Sequence, residues 1–148
     1  MPARVDFYVT EDSGEAARLR LACRVAEKAY LARQNVVVFS DDPALLQRFD
    51  EMLWTFGDGS FVPHDTVTRE GAECAAPVAL TTGPLPGDPA SNETWQVLVN
   101  LGAAVPACHT RFERIAEFLD ARPEVRAAGR ERFKAYRAGA LEPKTHNV

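Results

Sequence analysis

The apolar positions of this chain change their spacing several times, and each change marks an element. VDFYVT, at Val5–Thr10, is rich in β-branched and aromatic residues and predicts a strand. EDSGE follows, with Asp12 and Glu15 at the spacing of a reciprocal helix cap. Leu19, Cys23, Ala26 and Tyr30 then recur at steps of four, three and four, which gives a helix running to about Arg33 one apolar face. NVVVFS, at Asn35–Ser40, is apolar without alternation, as expected of a strand covered on both faces. Asp42 and Pro43 supply the N-cap and first residue of a second helix, whose apolar side is Leu45, Leu46, Phe49, Met52 and Leu53.

Further along, SFVPH reads as short and extended, and APVALTT and WQVLVNL as two more strands. The Pro- and Gly-rich stretch GPLPGDPASNE between them reads as a surface loop. HTRFERIAEFLD, at His109–Asp120, predicts a third helix with Phe112, Ile115, Ala116 and Leu119 turned inward. Asp120 or a neighbour starts the last helix, from about Pro123 to Ala138, and residues 139–148 read as a flexible tail. The β-α-β-α alternation predicts an α/β fold: a three-layer, Rossmann-like sandwich with a mostly parallel central sheet. No repeat or linker divides the chain, so residues 1–148 are expected to form a single domain.

Composition narrows the class. Hydrophobic residues make up 46% and charged residues 26%, ordinary for a soluble globular protein. There is no apolar run long enough to span a membrane, and the N-terminus turns acidic where a signal peptide would be apolar. Cys23, Cys74 and Cys108 are odd in number and widely spaced, which argues against a disulfide framework and predicts reduced thiols in the cytoplasm.

Phosphate chemistry is missing from the sequence. The turn after the first strand, TEDSGE, has one glycine and three carboxylates where a nucleotide-binding fold places a glycine-rich cradle. No GxGxxG, GxxxxGK[ST] or GxSxG motif occurs, and no cofactor is implied. Asp6, Glu11, Asp12, Asp41 and Asp42 could gather near the strand ends and hold Mg²⁺, which leaves a metal-dependent phosphotransferase or hydrolase using Asp6, Asp12 and Asp41 as the enzymatic alternative. The capping roles of Asp12 and Asp42 are the simpler account, and no metal site is assigned. His64, His109 and His146 have neither metal-ligand spacing nor a nucleophile partner.

Charge is distributed unevenly. The chain carries −4, yet Arg122–Ala138 holds six Lys/Arg against two Asp/Glu, a local +4 that leaves −8 on the remainder. An acidic body with one basic helix suits a small acidic partner better than duplex DNA, and little direct DNA binding is expected. With Arg126 at zero and a step of about 100° per residue, Arg137 falls at about 20°, Arg130 at about 40° and Lys134 at about 80°. Val125, Tyr136, Gly129 and Phe133 lie between about −100° and about −20°, so an apolar stripe runs beside the basic one. Two readings fit: an amphipathic helix with solvated cations, or a groove with apolar contacts flanked by carboxylate-binding Arg and Lys. A membrane-surface helix fits less well, because the helix is short and the rest of the chain acidic.

WTFGDGSFVPH, at Trp54–His64, gathers three aromatics around two turn glycines and is either a core corner or an exposed binding patch. Pro63 lacks a backbone N–H, which places the segment at a sheet edge.

Both stretches resemble the chi subunit of the bacterial DNA polymerase III holoenzyme. The match rests on FYV at Phe7, DEMLW at Asp50–Trp54, SFVPH at Ser60–His64 and RERFKAYR at Arg130–Arg137, in the same order and spacing over nearly the whole chain. The resemblance implies a noncatalytic α/β protein that joins the clamp loader through the psi subunit. It also implies a grip on the acidic C-terminal tail of single-stranded-DNA-binding protein, which ends in an aromatic residue. Arg130 and Lys134 would hold carboxylates of that tail, Phe133 would pack on its apolar end, and Leu119 would line the pocket. Arg126 and Arg137 join this set through their angular positions. Trp54, Phe61, Pro63 and His64 would form the second docking surface, for psi or, in competition, an iron–sulfur helicase. The family often has tyrosine where Phe133 stands, so a hydroxyl contact is absent while the ring surface remains.

Overall fold

The computed structural model describes residues 3–57, 59, 61–89 and 94–148. The elements are β1 (Arg4–Val9), α1 (Glu15–Leu31), β2 (Val36–Phe39), α2 (Pro43–Thr55), β3 (His64–Val67), β4 (Val78–Thr81), β5 (Val97–Asn100), a 3₁₀ turn at Ala107–Arg111, β6 (Arg114–Leu119), α3 (Pro123–Ala138) and β7 (Lys144–Asn147). The strands form one parallel sheet in the order β3-β4-β2-β5-β6-β1-β7. The fold is therefore the expected three-layer α/β sandwich. Ser60 and the end of the Pro- and Gly-rich loop, residues 90–93, lie outside the described residues.

Strand composition sets strand position. β2, β4 and β5 are short apolar runs buried on both faces, and they occupy the interior of the sheet. β3 and β7 carry polar and charged residues and form the two edges, where charge discourages pairing with other chains. Alternation along the strands sorts side chains into two cores. Leu19, Cys23 and Ala26 of α1 and Leu46, Phe49 and Leu53 of α2 pack against Val36, Val38, Leu80, Val99 and Phe118 on one face. On the other, Tyr136 of α3 packs with Val5, Phe7, Ile115 and Leu119, and Phe133 lies against the same cluster. Asp42 caps α2 as its sequence predicts, its Oδ1 accepting the Ala44 N–H at 3.0 Å. The three cysteines are free, and burial pushes the Cys23 thiol up to about 12. Among the described residues, no helix is long and apolar enough to cross a membrane.

Three sequence expectations are corrected. Asp12 does not cap α1: the cap position is Gly14 at φ 111, the Asp12 N–H turns to Thr10 Oγ1 at 3.1 Å, and no side chain caps the helix. Glu15 instead pairs with Arg48 and ties α1 to α2. The helix expected over His109–Asp120 is the 3₁₀ turn followed by strand β6. Phe112, Ile115, Ala116 and Leu119 are all buried, which the helical spacing anticipated. The cause differs, because β6 lies inside the sheet and is covered on both faces, and Glu117 in its middle hides the two-residue alternation. Finally, the tail does not fray: Lys144–Asn147 pairs in parallel with Asp6–Val9 as β7.

Candidate functional site

Helix α3 spans the expected residues and starts at Pro123. Asp120 organises that start: its carboxylate accepts the Arg122 N–H at 2.9 Å and holds the Arg122 guanidinium at 2.9 and 2.8 Å. Burial pushes the Asp120 carboxyl up, but these Arg122 contacts outweigh it and keep the group below its ordinary range.

One side of α3 faces inward. Tyr136 and Gly129 are buried, and so is Arg132, whose angle of about −120° from Arg126 puts it on the apolar side. Its partner is Glu117, which the sheet buries completely. Arg132 Nε donates to Glu117 Oε1 at 2.8 Å, while Tyr136 OH and Asn100 Nδ2 donate to Oε2 at 2.7 and 2.8 Å. Burial raises the Glu117 carboxyl, against the pull of Arg132, Asn100 and Tyr136. One of the six cations of the basic segment is therefore a structural ion, and its angle among apolar neighbours was the available signal.

The adjoining face of α3 borders a cavity of about 330 Å³. Its apolar lining comes from Phe7 and Val9 of β1, Leu119 of β6, and Phe133. Arg130, Lys134 and Arg137 stand along the helical rim, and Thr145 of β7 lines the side of the sheet edge. Phe133 is half-buried, tilted against Phe7 with ring centroids 5.2 Å apart, and still lines the cavity. Arg130 and Arg137 are exposed, and no carboxylate of the described residues pairs with either. Lys134 Nζ is 3.5 Å from Glu131 in a pair open to water and worth little. Gly129 lets the helix lie directly on Leu119: a methyl carbon there would sit 2.8 Å from Leu119 Cδ1.

Five of the six expected groove residues thus meet around one cavity: Leu119, Arg130, Phe133, Lys134 and Arg137. Arg126 does not. Its guanidinium donates to the Asp120 and Thr10 carbonyls at 2.9 and 3.0 Å and lies 3.6 Å from Glu11. Orphan carbonyls at the strand ends capture it, a contact that helical angles cannot reveal. Phe7, Val9 and Thr145 were absent from the expected set, because neighbouring strands and the folded tail supply them.

The aromatic stretch forms a second surface at the β3 edge. Trp54 is 47% and Phe61 61% exposed, while Val62 between them and β3 is buried. Trp54 leans on Phe61 and His64, with ring centroids 5.4 and 4.4 Å away. His64 is buried, its Nε2 2.7 Å from Asp50 Oδ1 and its Nδ1 2.7 Å from the Val62 carbonyl. Trp54 and Phe61 therefore present the contact area, and His64 props the indole from beneath.

The acidic residues do not converge. Asp6 is buried and engaged by Arg4, Arg114 and His146 at 2.8, 3.3 and 2.8 Å. Asp42 is occupied as a cap. Among the described residues, no group of three His, Cys, Asp or Glu side chains is placed to hold a metal ion.

Comparison with known proteins identifies the family. The family model described as DNA polymerase III chi subunit, HolC, matches residues 1–144. The DNA polymerase III subunit chi of Pseudomonas aeruginosa is 37% identical, over 98% of this chain and 96% of its own length. The subunit of the same name from Escherichia coli is 27% identical over 94% of each chain, and that of Haemophilus influenzae 22% identical over 100% and 99%. A family match over nearly the whole chain, joined to the full-length likeness to the Pseudomonas aeruginosa subunit, places this chain in the DNA polymerase III chi subunit family.

Proposed function

We propose that the chain is a noncatalytic accessory subunit of the replicative polymerase, and that its α3 groove holds the acidic C-terminal tail of single-stranded-DNA-binding protein. The observation that carries this reading is the cavity with an apolar lining and exposed cations on its rim, of which Arg130 and Arg137 have no carboxylate partner among the described residues. An aromatic end group fits over Phe7, Leu119 and Phe133, while Arg130, Lys134 and Arg137 face the carboxylates that precede or terminate it. Such a site recognises a short peptide at micromolar strength, about −8 kcal/mol. Its ionic part is exposed and weakens with salt, over a Debye length of about 8 Å near physiological strength. The Trp54–Phe61 edge is then free to take a second protein, the psi subunit of the clamp loader, through an aromatic patch of the kind that dominates interface energies. Occupied at both surfaces, the chain tethers the polymerase assembly to coated single strands.

Calorimetry with a tail peptide tests the groove. Arg130→Ala removes a charge-assisted contact, expected at roughly 1.5–3 kcal/mol, and weakens binding about tenfold or more. Arg126→Ala, at a cation held by carbonyls outside the cavity, leaves peptide affinity nearly unchanged. Equal affinities in Arg130→Ala, Phe133→Ala and the parent chain rule the groove out. Trp54→Ala spares the peptide and weakens psi, and a loss of peptide binding in that variant would contradict two separate surfaces.

A further inference from the structure

Strand β7 is four residues long, lies at the sheet edge and is largely exposed, yet it lines the groove through Thr145. Alternation turns Thr145 toward α3 and its neighbours Lys144 and His146 to the opposite face. On that face His146 is the anchor. Its Nε2 lies 2.8 Å from Asp6 Oδ1, and its ring stacks on Tyr8 with centroids 5.1 Å apart and planes inclined by 23°. Tyr8 is stacked in turn on Phe118, inside the α1–α2 core.

We infer that His146 is a positioning residue for the groove: through Asp6 it latches β7 to β1, and the docked strand holds Thr145 as the groove's second wall. The inference rests on the groove reading.

Several charged groups surround the contact. Asp6 and Tyr8 face it from β1, Arg4 and Arg114 share the same carboxylate, and Lys144 is on its own strand. Val148, next but one along the chain, lines a small cavity with Arg20 and Arg24 of α1. Burial pushes the Asp6 carboxyl up, but the His146 hydrogen bond and the Arg4 and Arg114 charges override it and hold it below its ordinary range. Asp6 is therefore an anionic acceptor for the His146 ring nitrogen. The ring is partly exposed, so the contact's contribution is small, about two- to fivefold in the docking equilibrium. Peptide affinity follows the docked fraction and changes by no more than that factor.

Amide hydrogen exchange at one pH reads the latch without any partner. In His146→Ala, which loses both the Asp6 contact and the stacking on Tyr8, the β7 amides are expected to exchange about two- to fivefold faster than in the parent chain. His146→Gln keeps an N–H donor for Asp6 and should restore part of that protection. Saturating tail peptide should raise β7 protection in all three chains. Equal β7 protection in His146→Ala and the parent, or a His146→Gln profile no better than that of His146→Ala, overturns the latch. Peptide that binds without raising β7 protection overturns the role of β7 while leaving the groove intact. No peptide binding to the parent chain overturns the groove reading itself and the coupling with it.

Discussion

Gly129→Ala sets two opposite energies against each other at one site. In an exposed helix interior the change stabilises by up to about 1 kcal/mol, because alanine loses less backbone freedom on folding. Here the added methyl carbon would lie 2.8 Å from Leu119 Cδ1 and 3.2 Å from Cγ, and nearer still to Cδ2. Both methyls and the branch point of one side chain stand in the way, so a χ2 rotation alone does not clear them and the whole side chain must swing about χ1. Leu119 is buried in β6 against the rest of the α3-side core, and α3 is anchored there by Tyr136 and Arg132. Overpacking of this kind costs about 1–3 kcal/mol. The expected net is a destabilisation of about 1–2 kcal/mol, a fall in melting temperature of roughly 2–8 °C for a domain of this size. Urea denaturation measures it as a lower midpoint at unchanged slope. The relaxation that remains, Leu119 turning into the cavity or α3 lifting away, narrows or distorts the groove, so peptide affinity should fall as well. Leu119→Ala combined with Gly129→Ala should cost less than the sum of the two singles, since the first change removes the clash of the second. A Gly129→Ala protein more stable than the parent, with peptide affinity intact, would refute the close approach of α3 to β6.

Two further variants probe the polar contacts that seat α3. Arg132→Met leaves the Glu117 carboxylate buried without its ion partner and should cost about 3–5 kcal/mol at neutral pH. The folded-state pKa of Glu117 is already raised by burial, and losing Arg132 raises it more. Stability in this variant is thus fullest below the ordinary carboxylate range and is lost as pH rises, so chemical denaturation should show the deficit shrinking on acidification toward about pH 4. Asp120→Ala removes the charged acceptor of the Arg122 N–H and should cost about 1.5–3 kcal/mol, as loss of a hydrogen bond to a charged group does. Asp120 is held below its ordinary range, so its contribution is present above that range and fades as pH falls through the folded value. The gap between variant and parent should therefore close in acid.

Elements whose local chemistry and burial agree could be read from the chain. Asp42-Pro43 followed by a clean apolar stripe gave α2, and the uninterrupted Val36–Val38 run gave a central strand. β6 was misread because a doubly covered strand presents apolar residues at spacings a helix also satisfies, and its one charge is buried rather than exposed. β7 was unreadable because KTHN has no apolar signal: its docking depends on Asp6 and Tyr8, far away in sequence. The same distinction divides the groove. Arg130, Phe133, Lys134 and Arg137 lie on one helix, and their angles set them side by side; that they border a cavity depends on β1, β6 and β7. The fate of Arg126 and Arg132 was decided by what faces them, the Thr10 and Asp120 carbonyls in one case and Glu117 in the other. Pro63 pointed to an edge, and β3 is one, but which aromatics stay exposed there depended on how Val62 and His64 pack beneath Trp54.

The central claim is that the cavity beside α3 is where an acidic peptide lands. Amide and methyl chemical shifts of isotopically labelled chain, titrated with the tail peptide of single-stranded-DNA-binding protein, test it most directly. The account predicts the largest shifts at Val9, Leu119, Arg130, Lys134 and Thr145, reversed by added salt, with Trp54 and Phe61 still. Shifts centred on the Trp54–Phe61 edge or on the α1–α2 face, with those residues unmoved, would contradict it.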